Sequence, residues 1–111
     1  MKTGIELIAQ ERIRQIEVEG FDSAHDCEHT NGELAGAGAC YALYFWSRTD
    51  AERLFPWKDW FKPSETDRIR NLVKAGALIA AEIDRLQFSE EAKRIYDNTK
   101  KELGIEKPEA K

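Results

Sequence analysis

The segment "HDCEHTNGE", residues 25–33, concentrates side chains that bind metals or transfer protons. Its metal-binding residue types are His25, Asp26, Cys27, Glu28, His29 and Glu33. Structural zinc sites usually draw ligand pairs from two places in the chain, and no second Cys/His pair exists in this sequence. Carboxylates suit magnesium better. Asp26 and Glu33 are therefore candidate magnesium ligands.

Glu33 also has a structural interpretation. Thr30 and Glu33 have the spacing of a capping box, which would begin a helix at about Asn31. Along that helix Glu33 shares a stripe with Ala37 and Cys40, so we expect it at the mouth of a groove between helices. A carboxylate there needs an amide, an arginine or a metal as partner. Capping and metal binding both remain open for Glu33.

Two further glutamates border the apolar stripes of their helices. Glu82 is a candidate metal ligand or base, and the alternative is an ion pair with Arg85, three residues on. Glu11 is a candidate metal ligand, and the alternative is a solvated ion pair with Arg12.

Residues 48–63 are predicted to be a connector, and its aromatic part is "LFPWKDWFKP" at 54–63. Trp57 and Trp60 alternate with Lys58 there, and rings with lysines can stack a nucleobase and contact its phosphates. The same rings could instead cover a small helical core. Lys74 and Arg70 could extend a phosphate-binding surface, or they could form the solvent-exposed face of their helix.

Four helices must position these residues, and the periodicity predicts no strand. We expect them at about 4–19, 31–47, 64–86 and from Ser89 to Leu103, with Gly20 and Gly104 as stops. Small and aromatic residues surround the second helix, which predicts a central position. The predicted buried stripes are Ile5, Ile8, Ala9, Ile13 and Ile16 in the first helix and Ile69, Leu72, Val73, Gly76, Ile79, Ala80, Ile83 and Leu86 in the third. The predicted fold is an all-α, four-helix bundle-like single domain at 1–104, followed by a solvated tail at 105–111.

Composition limits the function classes. The chain has 111 residues, with 17 basic against 21 acidic side chains. This balance argues against a duplex nucleic-acid partner, which needs a basic face. The longest uncharged run, 34–47, is too short to span a membrane. Two cysteines, Cys27 and Cys40, make no disulfide framework, so a cytoplasmic location is expected. An apolar flank such as Leu78 would allow a homo-oligomer.

Several short sequence motifs, separated along residues 7–86, resemble those of a family of small accessory proteins of phages and prophages. They are "ER.RQ" from Glu11 to Gln15, "HD" and "GELA" around Asp26 and Glu33, "PW..W.KP", and "LVKAGALI.AEI.RL". The chain also looks distantly similar to the all-α MazG-like nucleotide pyrophosphohydrolases. Those enzymes hold magnesium with carboxylates of two antiparallel helices and cleave a nucleoside triphosphate to its monophosphate. Asn71 and Cys27 depart from the aspartates usual in relatives.

The resemblance implies a magnesium-dependent pyrophosphohydrolase of phage or prophage origin. Glu33 and Glu82 would be catalytic, and the metal ligands would be Glu11, Asp26, Glu33 and Glu82. Lys58 and Lys74 would contact phosphates, and Trp57 or Trp60 would contact the base. The rival hypothesis is a non-catalytic module. It would sequester a nucleotide in the same groove, or bind a host protein through the aromatic connector.

Overall fold

The computed structural model describes residues 1–19 and 31–102, and over these ranges the chain is all-α. The helices are α1 (Gly4–Glu17), α2 (Glu33–Leu43), α3 (Arg48–Leu54) and α4 (Arg68–Glu102), with a short 3-10 helix at Lys58–Trp60. α1 and α2 pack on α4, and α3 packs on α2. The predicted all-α fold with four helices is confirmed, although two of the helices differ from those expected. Within the described ranges, no helix has the length and apolarity needed to cross a bilayer.

α1 begins with a capping box that the sequence analysis did not identify. The Thr3 hydroxyl accepts a hydrogen bond from the Glu6 amide at 3.2 Å, and Glu6 Oε1 accepts one from the Thr3 amide at 2.8 Å. The helix ends at Glu17, two residues before the predicted end, with Val18 as its C-cap.

The predicted buried stripe of α1 is wrong for this chain. Ile5 is 82% exposed and Ile13 is 53% exposed, whereas the buried side chains are Glu11, Arg12 and Gln15. α1 therefore turns a largely polar face to α4, because Glu11 and Arg12 find charged partners there, and of the predicted stripe Ile8 packs beside Gly76 of α4.

α2 begins at Glu33, with Gly32 at the N-cap in the left-handed region (φ 81°) and no side-chain capping hydrogen bond. Thr30 lies outside the described residues, so its predicted capping box with Glu33 stays a prediction. The predicted close packing of small residues is confirmed at Gly38, where an added Cβ would lie 3.0 Å from the Ala75 carbonyl oxygen of α4. However, α2 is not wrapped on every side, because Ala39 and Ala42 are exposed.

Two short helices occupy the segment predicted as a connector. Ser47 ends the run that was expected to continue α2, because its hydroxyl accepts a hydrogen bond from the Asp50 amide and caps α3. The aromatic rings then pack on one another. Phe55 and Phe61 stack with ring centroids 4.4 Å apart, and Tyr41 lies edge-on to Phe61 at 5.0 Å. These rings cover the core formed by α2 and α4, as the second interpretation of the connector predicts.

α4 runs for 35 residues, so the predicted break at Ser89 is wrong. Its start agrees with the prediction, because Asp67 Oδ1 accepts a hydrogen bond from the Arg70 amide at 3.0 Å. Its predicted buried face is largely wrong: Ile69, Leu72, Ile79, Ile83 and Leu86 are all exposed. The buried face consists mainly of smaller side chains, and Leu78, which was expected to be uncovered, is 6% exposed.

Asn71 joins α4 to the segment that precedes it. The side chain is 1% exposed. Its Oδ1 accepts a hydrogen bond from the Ser64 amide at 2.8 Å, and its Nδ2 donates one to the Ser64 carbonyl oxygen at 2.9 Å. An asparagine suits this position because it supplies both a donor and an acceptor, whereas an aspartate supplies acceptors alone.

Candidate functional site

A cavity of about 680 Å³ opens where α1, α2, α4 and the aromatic connector meet. This volume lies in the range of small-molecule sites, roughly 300 to 1,000 Å³. Four cationic and two acidic side chains line it, together with aromatic and aliphatic ones. The charged lining residues are Glu11, Arg14, Glu19, Lys62, Arg70 and Lys74. The cavity is therefore net positive, although the whole chain is net negative.

Glu11 organises the cationic wall. Its Oε1 accepts hydrogen bonds from Arg14 Nε at 2.9 Å and from Arg70 Nη1 at 2.8 Å. Its Oε2 accepts from Arg14 Nη2 at 2.8 Å and from Gln15 Nε2 at 3.2 Å. Burial alone would raise the pKa of Glu11, but the hydrogen bonds and charges of Arg14 and Arg70 outweigh it and lower the pKa to about 2. The carboxylate is thus ionised and holds two guanidinium groups side by side.

The two guanidinium groups are only partly covered. The side chains of Arg14 and Arg70 remain 39% and 38% exposed, while that of Glu11 is 3% exposed. Arg14 also pairs with Glu19 at 2.5 Å, and this pair, with that to Glu11, raises the pKa of Arg14 above its ordinary value against the effect of burial. A guanidinium has five N–H donors, so Arg70, which gives one to Glu11, keeps others for a ligand.

Lys74 adds a cation of a different kind. Its Nζ donates a hydrogen bond to the Lys62 carbonyl oxygen at 3.1 Å and lies 5.4 Å from the centre of the Tyr41 ring. None of the described carboxylates lies within 4.0 Å of it. Burial, followed by the charge of Arg70, lowers the pKa of Lys74. A partly desolvated ammonium without a counter-ion attracts an anion more strongly than a solvated surface lysine does.

Aromatic side chains also line the cavity, namely Tyr41, Phe55, Trp57 and Trp60. Phe55 and Trp57 lie edge-to-face at 5.8 Å. Tyr41 is fixed because its hydroxyl accepts a hydrogen bond from the Lys62 amide at 3.1 Å, and burial raises the pKa of that hydroxyl. Trp60 is 67% exposed and leaves a ring face open to a partner.

Gln15 lines this cavity and has an unsatisfied acceptor. The residue is 4% exposed and lines the cavity, and its Nε2 is used by Glu11. Within residues 1–19 and 31–102, nothing donates a hydrogen bond to its buried Oε1. Leaving such an acceptor unpaired costs about 1–3 kcal/mol.

The structure brings together four of the predicted site residues and leaves others outside the cavity. Glu11, Lys74, Trp57 and Trp60 line it. Lys58 is exposed and does not line it. Arg14 and Gln15 were missed as site residues, because an arginine next to glutamates and a glutamine in a surface helix carry no distinctive pattern.

Glu33 and Glu82 lie outside the cavity lining, and each has a partner. Glu33 Oε1 accepts a hydrogen bond from the Asn31 amide at 2.8 Å. Glu82 receives two hydrogen bonds from Arg85, Nε to Oε1 at 2.7 Å and Nη2 to Oε2 at 3.2 Å. The contact of Glu82 matches its structural interpretation as an ion pair with Arg85, and Glu33 has a backbone amide as its partner. Asp26, with His25, Cys27 and His29, lies outside the described residues.

Whether the described residues could bind magnesium depends on which side-chain ligands lie close together. Across the described ranges, no group of three or more His, Cys, Asp or Glu side chains could hold a metal ion. Glu11 already accepts four hydrogen bonds, which occupy the four or so lone-pair sites of a carboxylate. The described residues therefore do not form a magnesium site, and a site that includes Asp26 stays a prediction.

No protein-family model matches the chain, and neither a curated protein nor a solved structure matches it. The resemblance to phage accessory proteins and to MazG-like enzymes therefore stays a prediction, and the function must be argued from the cavity.

Proposed function

We propose that this protein binds a nucleotide in the cavity between α1, α2, α4 and the aromatic connector, without hydrolysing it. The observation that carries the proposal is that three cationic side chains, Arg14, Arg70 and Lys74, line the same cavity as a group of aromatic side chains. Phosphate groups need clustered cations and a base needs ring faces, and a nucleotide presents both within one small molecule.

The phosphates would contact the cationic wall. Glu11 fixes the two guanidinium groups before any ligand arrives, so little side-chain entropy is lost on binding. Lys74 supplies the charge that no described carboxylate neutralises. A hydrogen bond to a charged group is worth about 1.5–3 kcal/mol, which corresponds to roughly 10- to 100-fold in affinity.

The base and sugar would occupy the aromatic side. The exposed face of Trp60 suits stacking, which is worth about 1–3 kcal/mol per base. Inorganic phosphate would leave this ring face unused.

Hydrolysis is left out of the proposal because the described residues supply no cluster of metal ligands. Pyrophosphate release is still the measurement that separates the two hypotheses. Isothermal titration with dATP, 2′-deoxyadenosine and tripolyphosphate, paired with a pyrophosphate assay in magnesium, tests both. We expect saturable one-to-one binding of dATP that exceeds that of either fragment, without turnover.

Matched variants locate the site. Lys74→Met should weaken dATP binding at least about tenfold, because it removes a charge-assisted hydrogen bond, whereas Lys58→Met removes an equal charge outside the cavity and should have little effect. Trp60→Ala should weaken dATP binding more than tripolyphosphate binding. Trp46→Ala, at an 88% exposed tryptophan elsewhere, is its control. Equal loss in the Lys58 and Lys74 variants would contradict the proposed site, and magnesium-dependent pyrophosphate release would favour the hydrolase instead.

A further inference from the structure

Two carboxylates share Arg14 in the cavity, and they differ in how firmly they are held. Glu11 lies inside α1, its side chain is 3% exposed, and it accepts hydrogen bonds from Arg14, Gln15 and Arg70. Glu19 lies two residues beyond the end of α1, its side chain is 36% exposed, and its carboxylate lies 2.5 Å from Arg14. An exposed ion pair contributes little to stability, because water can replace either partner. Glu11 is therefore the fixed partner of Arg14, and Glu19 is the exchangeable one.

Glu19 occupies a donor that a phosphate group would use. Arg14 Nη2 lies 2.8 Å from Glu11 Oε2 and 2.5 Å from Glu19 Oε2. A terminal guanidinium nitrogen carries two N–H groups, so these two carboxylates use both donors of Nη2. Glu19 also lines the cavity. A phosphate that binds at Nη2 from the cavity must therefore displace Glu19, because the other carboxylate is buried and held by two further side chains.

The exchange favours a phosphate group over the carboxylate. Glu19 has one negative charge, whereas a terminal phosphate carries close to two and has three strong acceptor oxygens. Arginine binds such groups through two parallel, charge-assisted hydrogen bonds. The backbone can stay in place during the exchange, with the Glu19 amide donating to the Gln15 carbonyl oxygen at 3.2 Å, because rotation of the exposed side chain alone moves the carboxylate into solvent.

We infer that Glu19 is a built-in competitor of the ligand: its carboxylate pairs with Arg14 in the free protein, and a phosphate group of the ligand displaces it. The inference rests on the proposed function, because it takes this cavity as the phosphate site. It adds that Glu19 holds the affinity of the cavity below the value that its cations alone would give.

The variant Glu19→Gln tests the competition. It removes the carboxylate and should tighten the binding of both tripolyphosphate and dATP by roughly two- to fivefold in isothermal titration, since that is what an exposed ion pair is worth. Glu17→Gln is the matched control. It removes an equal charge from an exposed glutamate of α1 that does not line the cavity, and it should leave both affinities unchanged.

A double-mutant cycle tests whether Glu19 acts through Arg14. In a chain that carries Arg14→Met, Glu11 keeps Gln15 and Arg70 as partners, and circular dichroism should show unchanged helicity. Adding Glu19→Gln to this chain should then give no gain in affinity, because the contact that it removes is already absent. A gain of the same size with and without Arg14 would mean that Glu19 acts only through its charge, and would overturn the inference.

The same titrations separate this inference from the proposed function. Equal dATP affinity of the wild type and Glu19→Gln, or an equal gain in Glu17→Gln, would overturn the competition and leave nucleotide binding standing. Tripolyphosphate binding that tightens in Glu19→Gln, without tighter binding of dATP than of tripolyphosphate, would support the competition and contradict a nucleotide site. No binding of either probe by any of these chains would overturn both.

Discussion

The lowered pKa of Glu11 predicts how much its ion pairs contribute to the free energy of unfolding. The change is Glu11→Gln, which removes the charge and turns one acceptor into a donor facing Arg14 and Gln15. The pKa of Glu11 is lowered from 4.5 to about 2 in the folded chain. At about 1.36 kcal/mol per pH unit, this difference corresponds to about 3 kcal/mol of folding stability above pH 4.5.

The solvent exposure of the arginines lowers this figure. Arg14 and Arg70 are more than a third exposed, so water can solvate their charges when the carboxylate is lost. We therefore expect Glu11→Gln to reduce the free energy of unfolding by about 2 kcal/mol at pH 7. Urea denaturation followed by far-ultraviolet circular dichroism measures it at a fixed protein concentration.

The dependence on pH distinguishes a charge effect from a packing effect. A carboxyl group with a lowered pKa stabilises the fold fully above the unfolded-state pKa, and this stabilisation is lost as pH falls toward the folded-state pKa. The gap between wild type and Glu11→Gln should therefore be constant from pH 7 to pH 5 and shrink between about pH 4.5 and 2.

A surface carboxylate provides the control. Glu52 pairs with Arg48 at 3.2 Å, and both side chains are more than half exposed. Glu52→Gln should cost at most about 0.5 kcal/mol. If Glu11→Gln costs no more than Glu52→Gln at pH 7, or if its cost stays the same at pH 3, the carboxylate does not organise the cationic wall as argued.

Three further predictions concern packing and protonation. Gly38→Ala should destabilise the fold by about 1–2 kcal/mol because its Cβ would meet the Ala75 carbonyl oxygen, whereas Gly36→Ala, with nothing within 4 Å, should stabilise it by up to about 1 kcal/mol; thermal melts compare the two. Asn71→Asp should cost about 2 kcal/mol in urea denaturation, because the acid loses the donor that Asn71 gives to a backbone carbonyl. Lys74 should lose its proton at a lower pH than an ordinary lysine, as a nuclear magnetic resonance titration of its Nζ would show; a normal pKa would mean that the cavity is well hydrated.

Capping and spacing signals in the sequence predicted where helices occur better than they predicted which face of each helix is buried. The cap at Asp67 and the close packing at Gly38 follow from single residues and their neighbours, so they could be found in the sequence. Ser89 looked like a helix start because glutamates follow it, but the preceding segment contains no glycine or proline to end it, and the helix continues. A capping pattern can begin a helix only where the previous one stops.

The site was only partly predictable for a similar reason. Glu11 and Lys74 could be proposed from their residue types, but the partner of a charged residue depends on which helix lies opposite. Arg14 and Arg70 are 56 positions apart in the chain and meet at one carboxylate. Pairings of this kind follow from the packing of α1 on α4, which periodicity alone does not define.

The exposed apolar faces of α1 and α4 have one physical explanation in common. Periodicity identifies a stripe that must leave water, but it does not say whether the same chain or another covers it. Within the chain, α4 uses a second stripe of small residues, including Ala75 and Ala81, to approach α2 closely. Large side chains there would hold the helices apart, so they remain on the outer face. The large residues that were predicted to be buried in α4 are therefore exposed.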